Sequence, residues 1–179
     1  MKTAGDILIV DDESDIRLLI GATLRDEGFT TMEAASAMEA RDLLAAKPPG
    51  LAILDIWMRD SDMDGLELLE WVKSVYPEVP VLMISGHGTV ETAVQAIRNG
   101  AYDFIEKPFK EDRLLLMVQR AFEASRLERE NAELRARVSE ESDPSIIGVS
   151  TQIKAVRTAL ERIAPTASRV LISGPNGSG

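Results

Sequence analysis

Five short, predominantly apolar runs divide the first 110 residues, and segments with helical periodicity lie between them. Four of the runs cover residues 7–10, 51–54, 81–84 and 102–105, and a weaker fifth covers residues 29–34. Apolar runs of this length that alternate with amphipathic helices are typical of a parallel sheet with helices on both faces. We therefore predict an α/β fold of five strand–helix units. Right-handed crossovers and a single switch point favour the flavodoxin-like strand order 2-1-3-4-5.

Capping and turn residues predict where the first four helices begin and end. Small polar residues stand at the predicted starts, and glycine or proline stands at or near the predicted ends. The predicted boundaries are Ser14 or Asp15 and Gly28 for the first helix, Ser36 and residues 47–50 for the second, residues 64–65 and 76–77 for the third, and residues 89 and 99–100 for the fourth.

The fifth predicted helix is longer than one domain needs. It begins near Glu111 and meets no stop signal before residues 142–144. Leu127 and Leu134 are seven residues apart, and Asn131 lies at the other seam position of the same heptads, which predicts a short dimeric coiled coil with a register-setting polar residue. A solvated single linker helix is the alternative, since three or four clean heptads are the usual requirement.

A new unit is predicted after residue 144. It contains a helix over residues 151–163 and then an apolar run that leads into Gly174, Gly177 and Gly179. This ending fits the first six positions of the phosphate-binding loop G-x-x-x-x-G-K-[ST], whose lysine and hydroxyl residue would be positions 180 and 181. We expect no ATP binding or hydrolysis by this chain and interpret it as a cut fragment. The predicted domains are residues 1–122, a linker at 123–143, and 144–179.

Five polar residues lie within two positions of the predicted strand ends. Ligand sites of open parallel sheets lie outside the carboxyl ends of the strands, so these side chains are expected to converge. A buried carboxylate that closes an apolar central strand also needs a cation or metal partner. The five residues are Asp11, Asp12, Asp55, Ser85 and Lys107.

The residue types at these positions predict a magnesium-dependent phosphate site. Asp55 is a candidate nucleophile, and because an anion attacks an anion, a hard divalent cation is needed to neutralise charge. Asp11, Asp12 and Asp55 are candidate ligands of Mg²⁺, with the backbone carbonyl of Trp57 as a further one. Lys107 is expected to pair with phosphoryl oxygens, and Ser85 is expected to donate a hydrogen bond to another of them.

Composition narrows the function classes. The chain has 179 residues and a net charge of −10, and because residues 140–179 are balanced, the first 139 carry all of it. Such an acidic surface repels a phosphate backbone, so DNA contact would need other sequence. With no cysteine, disulfides and thiolate metal sites are excluded. No apolar stretch approaches the ~20 residues of a membrane span, and a cytoplasmic location is expected.

Several motifs together resemble the receiver domain of two-component response regulators over residues 5 to about 122. In that family the aspartate that matches Asp55 takes a phosphoryl group from a phosphohistidine of a sensor kinase, with Mg²⁺ required, so the domain is a switch rather than an enzyme acting on other molecules. Ser85 and Phe104 match residues that couple phosphorylation to the fourth helix, fifth strand and fifth helix, a surface through which we expect homodimerisation. The motifs are Val10-Asp-Asp-Glu13, Leu54-Asp-Ile-Trp-Met58, Met63-Asp-Gly65, Ile84-Ser-Gly-His-Gly88 and Phe104-Ile-Glu-Lys-Pro-Phe109.

Residues 146–179 resemble the start of the AAA+ ATPase domain of NtrC-type, sigma-54-dependent activators. The resemblance implies a longer, ATP-dependent transcription regulator whose contacts with DNA and sigma factor lie in regions absent here. The loop after the third strand, residues 58–65, is two residues longer than in most receivers and lacks their proline. The longer loop resembles that of the NtrX branch of these activators, and this resemblance implies an NtrY-like sensor kinase.

Two alternative functions belong to other classes of protein. A haloacid dehalogenase-type phosphatase uses similar residues, but its nucleophile ends the first strand and its acidic pair comes last, whereas here Asp11 and Asp12 come first. A receiver-like dimerisation module that works without phosphorylation is the second alternative. The presence of all five site residues argues against it.

Overall fold

The protein is described by a computed structural model that covers residues 6–59, 61–86, 88–136 with the backbone of 137–141, and 150–163. The predicted phosphate loop with Gly174, Gly177 and Gly179 lies outside the described residues. The strands are β1 (Asp6–Val10), β2 (Thr30–Ala34), β3 (Leu51–Asp55), β4 (Val81–Ser85) and β5 (Asp103–Glu106). The helices are α1 (Ser14–Asp26), α2 (Ala37–Ala46), α3 (Gly65–Val75), α4 (Val90–Arg98), α5 (Glu111–Glu141) and α6 (Thr151–Ile163).

The five strands form one parallel sheet in the order β2-β1-β3-β4-β5, as predicted. Val10 is in register with Leu54, and Asp55 is in register with Ile84. At the next pair of strands Ser85 is opposite Glu106. The carboxyl ends of β1, β3, β4 and β5 therefore meet at one edge of the sheet, where a ligand site is expected in this class of fold.

Helices cover the sheet on both faces, so the apolar residues of each strand divide between two cores. In β1, Leu8 and Val10 belong to the core that also contains residues of α2, α3 and α4. Ile7 and Ile9 point to the opposite core, which contains residues of α1 and α5. Because successive side chains of a strand alternate between faces, a strand buried on both sides reads as a continuous apolar run.

Most predicted helix boundaries are confirmed. Ser36 caps α2 by accepting from the Glu39 N–H, and Asp64 opens α3 with a full capping box. Gly28 and Gly100 follow α1 and α4 with positive φ angles of 86° and 96°. The predicted cap of α1 is wrong: Ser14 is already helical, and the capping position is occupied by Glu13 without a side-chain hydrogen bond.

Asp11 explains the earlier start of α1. Its Oδ1 accepts a hydrogen bond from the Glu13 N–H at 2.9 Å. An aspartate that bonds the main chain two residues ahead forms a local turn, which brings the chain into the helix before Ser14 can act as a cap.

Helix α5 has 31 residues and ends where the sequence predicts. The chain divides into two compact units, residues 1–132 and 133–179, so the boundary falls inside this helix. The predicted boundaries at 122 and 143 stay predictions. Within the described residues of the second unit, α6 has no buried residue. No helix in the described part of the chain is both long and apolar enough to cross a membrane.

Candidate functional site

Three carboxylates meet at the carboxyl edge of the sheet. Asp11 and Asp12 follow β1, and Asp55 ends β3. Asp11 and Asp55 are buried, and Asp12 is partly buried. One carboxylate oxygen from each of the three lies within 4.8 Å of the others. The structure thus brings together residues 44 positions apart, and the three oxygens could hold one metal ion.

One partly buried lysine faces this acidic cluster. Lys107 follows β5, and its Nζ lies 2.8 Å from Asp11 Oδ2, 3.3 Å from Asp55 Oδ1 and 3.5 Å from Glu13 Oε1. Its backbone N–H donates to the Ser85 carbonyl at 2.8 Å, which ties the end of β5 to the end of β4. One ammonium group therefore faces more than one negative charge, and the site retains a local excess of negative charge.

Burial sets the protonation behaviour of the two innermost carboxyl groups. It raises the pKa of Asp55 to about 6; Lys107 opposes this change, and the charges of Asp11 and Asp12 add to it. Burial also raises the pKa of Asp11 in spite of its hydrogen bond with Lys107. Burial lowers the pKa of Lys107, but its hydrogen bond to Asp11 and the charge of Asp55 outweigh that effect, so the net change is upward.

The buried oxygen Oδ1 of Asp55 accepts no hydrogen bond from the residues that the structure describes. Lys107 Nζ lies within ion-pair distance of it, without the alignment of a hydrogen bond. An unsatisfied carboxylate oxygen in a buried position is costly, and oxygen ligands of this kind suit a hard divalent cation. The donor set therefore fits Mg²⁺ on its chemistry.

Main-chain contacts hold the acidic pair in place. Arg17 Nη1 donates to the Asp11 carbonyl at 2.7 Å and to the Asp12 carbonyl at 3.2 Å. The Arg59 N–H donates to Asp12 Oδ2 at 3.2 Å. Neither Arg17 nor Arg59 is among the site residues predicted from the sequence. Arg17 lies one turn inside the helix that follows Asp11 and Asp12, and a basic residue at that position is a sequence signal that could have predicted its contact. Arg59 contributes only its backbone N–H, which no side-chain pattern can reveal.

The remaining predicted residues lie around this cluster. Trp57 is two positions beyond Asp55, and its side chain is 54% exposed; its carbonyl as a metal ligand stays a prediction. Ser85 is fully buried at the end of β4. Phe104 in β5 is partly buried against one core, and a Cβ atom on Gly88 would lie 2.4 Å from its ring.

Comparison with known proteins agrees with this geometry. The family model for the response regulator receiver domain matches residues 7–119. The chain belongs to the family of response regulator receiver domains. The receiver thus occupies the five strand–helix units described above, and its match ends within α5.

Similar proteins extend well beyond the receiver. The nitrogen assimilation regulatory protein NtrX of Azorhizobium caulinodans is 51% identical over 176 residues, which are 98% of this chain and 38% of the relative. A crystal structure of NtrX from Brucella abortus in complex with ATP is 50% identical with a TM-score of 0.71, and covers 97% of this chain and 38% of that one. The resemblance to the NtrX branch is therefore confirmed, and the chain spans less than two fifths of these relatives.

A second similar structure contains a receiver alone. The solution structure of the beryllofluoride-activated NtrC4 receiver domain dimer has 39% identity and a TM-score of 0.63. It covers 67% of this chain and 98% of that chain.

Proposed function

We propose that the receiver accepts a phosphoryl group on Asp55 and that Asp11, Asp12, Asp55 and the carbonyl of Trp57 hold the Mg²⁺ that this reaction needs. The observation that carries the proposal is the buried Oδ1 of Asp55, which lacks a hydrogen bond among the described residues and lies beside two further carboxylates. A carboxylate in this setting has unused capacity to bind a cation and to form a new bond.

Each residue has a distinct part in the transfer. An oxygen of Asp55 forms a bond to the phosphorus of the donor, and the bond from phosphorus to the leaving group breaks, with its electron pair passing to that group. Lys107 then pairs with a phosphoryl oxygen, and the Ser85 hydroxyl donates to another. Bound Mg²⁺ would neutralise the charge that accumulates between carboxylate and phosphate. Ionised Asp55 is the reactive form, because only the charged carboxylate is a competent nucleophile towards phosphorus.

Intact-mass measurement tests the proposal. The chain is incubated with acetyl phosphate with and without Mg²⁺, and Asp55→Asn is treated in the same way. We expect a gain of one phosphoryl group in the wild type with Mg²⁺ and no gain in the variant. Asp42→Asn, on the exposed side of α2, is the matched control and should be phosphorylated like the wild type. A wild type without any mass gain would favour a receiver-like module that works without phosphorylation.

The wider function follows from the relatives. We infer that the donor in the cell is an NtrY-like sensor histidine kinase and that the longer protein is a cytoplasmic, ATP-dependent, sigma-54 activator of transcription. The NtrX relatives extend beyond this chain, and one was crystallised with ATP. Within this chain, Gly174, Gly177 and Gly179 would supply only the first part of the phosphate loop.

We propose that the receiver transmits the effect of phosphorylation to the rest of the protein by forming a homodimer. The outer face of α4 is apolar and exposed at Val90, Val94 and Ile97, and Tyr102 before β5 is also exposed. An apolar surface of this kind is a candidate protein interface. The similar NtrC4 receiver was solved as an activated dimer. Leu127, Asn131 and Leu134 would extend the contact along the linker.

A further inference from the structure

The loop between β3 and α3 reaches the candidate site and carries Trp57. At its base the Gly65 N–H donates to the Ile56 carbonyl at 3.0 Å. The backbone approach is so close that a Cβ atom on Gly65 would lie 2.0 Å from the Asp55 carbonyl oxygen. The side chain of Met58 is buried in the core that also contains residues of α2, α3 and α4. The inner half of the loop is therefore fixed by its own packing.

Among the described residues, two hydrogen bonds join the outer half of the loop to other parts of the chain, one to Asp12 and one to the start of α2. The Arg59 N–H donates to Asp12 Oδ2 at 3.2 Å. Ser61 Oγ accepts from the Ala37 N–H at 3.0 Å. Ala37 is the first residue of α2, where main-chain N–H groups have no partner inside the helix. The loop thus connects a carboxylate of the site to the start of a neighbouring helix.

Two serines share the start of α2. Ser36 accepts from the Glu39 N–H at 3.3 Å as the helix cap, and Ser61 accepts from the Ala37 N–H. The first bond is local, whereas the second spans 24 positions and fixes the loop against the helix. These two bonds can be removed separately, which separates an effect on α2 from an effect on the loop.

We propose that Ser61 is a positioning residue of the metal site. Its bond to α2 keeps the outer loop in place, so that the Arg59 N–H stays on Asp12 and Trp57 is confined near the carboxylates. This loop contains no proline to restrict its backbone, and the side-chain tether takes over that restriction. The inference rests on the proposed Mg²⁺ site, because it concerns how that site is preorganised.

Calorimetric titration with Mg²⁺ tests the inference on the unphosphorylated chain, without a phosphoryl donor. Ser61→Ala is expected to bind Mg²⁺ about fivefold more weakly, which corresponds to the loss of one ordinary hydrogen bond. Ser61→Thr keeps the hydroxyl and should stay within about twofold of the wild type on the same scale. Ser36→Ala is the matched control: it removes a bond at the same helix end and should leave the Mg²⁺ affinity unchanged.

Hydrogen exchange supplies a second measurement in the absence of metal. In Ser61→Ala the amides of residues 56–59 and 61–64 should exchange faster than in the wild type, whereas in Ser36→Ala any change should be confined to α2. Wild-type Mg²⁺ affinity in Ser61→Ala, or an equal loss in Ser36→Ala, would overturn the inference while leaving the phosphorylation proposal intact. A wild-type chain that binds no Mg²⁺ would overturn both.

Discussion

At the scale of single residues, the site favours function over stability. Lys107 pairs with both buried carboxylates, Asp11 and Asp55, yet one Asp55 oxygen has no hydrogen bond from the described residues. Buried charges that are only partly compensated lower the free energy of unfolding. Titratable groups in this state are characteristic of functional sites. The metal-free chain should therefore gain stability when Asp55 loses its charge.

The variant Asp55→Asn is expected to be more stable than the wild type without metal, and the gain should depend on pH. The folded-state pKa of Asp55 is raised from 3.8 to about 6. Below the unfolded-state pKa, the Asp55 carboxyl is protonated in both states and the wild type has its full stability. As the pH rises through the folded-state value, the folded wild type acquires a buried charge and loses that stability, whereas Asp55→Asn does not. The gain should thus be small near pH 4 and about 2–3 kcal/mol at pH 7.

Urea unfolding in EDTA measures this gain across the pH range. Asp42→Asn should follow the wild type at every pH, because its side chain lies on the exposed face of α2. A gain that is the same at pH 4 and pH 7 would show that the charge of Asp55 is not its cause.

Removing Lys107 should have the opposite effect. Lys107→Gln leaves two buried carboxylates without their cation and is expected to destabilise the metal-free chain at pH 7 by about 3 kcal/mol. Lys47→Gln is the control, because Lys47 also pairs with an aspartate, Asp6, but in an exposed position. Chemical denaturation of both variants checks the prediction, and an equal loss in the two would contradict it.

At the scale of elements, α5 changes character along its length. Its first part buries Leu114, Val118 and Ala121 against the sheet. Beyond Ser125, up to residue 136, the large apolar side chains are exposed: Leu127 by 53% and Leu134 by 60%. Leucines at heptad spacing on an exposed helix are typical of a coiled-coil seam, although a solvated helix also tolerates them.

Replacing both seam leucines distinguishes these interpretations. Leu127→Ala with Leu134→Ala should weaken self-association at least tenfold, because each buried leucine side chain contributes about 1.5–3 kcal/mol. Sedimentation equilibrium measures the association constant. The control is Leu18→Ala with Leu19→Ala, two exposed leucines on α1. An unchanged constant in the seam variant would leave α5 as a linker helix without a partner.

At the scale of the whole molecule, the packed part of α5 reaches further than the matched receiver. The family model ends at residue 119, while Ser125 is still buried and its Oγ lies 3.5 Å from the Glu78 carbonyl. The first compact unit extends to Ala132. These contacts lie beyond the boundary that the sequence predicts at 122.

Truncation tests where the domain ends. A chain of residues 1–132 should unfold with the free energy of the first unit in the full chain, whereas residues 1–122 should be less stable by about 1 kcal/mol, because the turn with Ser125 is lost. Urea unfolding compares the two chains. Equal stability would support the boundary at 122.

The sequence by itself determined the strands, most helix ends and the convergence of the carboxylates with Lys107, and it favoured the strand order that the structure has. Strands buried on both faces can only be continuous apolar runs, and chemistry at a parallel sheet collects at the carboxyl ends of its strands. Asp11, Asp55 and Lys107 could therefore be selected from their places in the chain alone.

Only the tertiary structure decided how the loops around the site are held. The start of α1, the Arg59 N–H on Asp12 and the bond from Ala37 to Ser61 escaped prediction or were predicted wrongly. Backbone N–H groups are the same at every residue except proline, so a pattern of side chains does not show which of them finds a distant acceptor. That choice depends on the path of loops whose partners are 24 and 47 positions away, which packing of the whole domain sets.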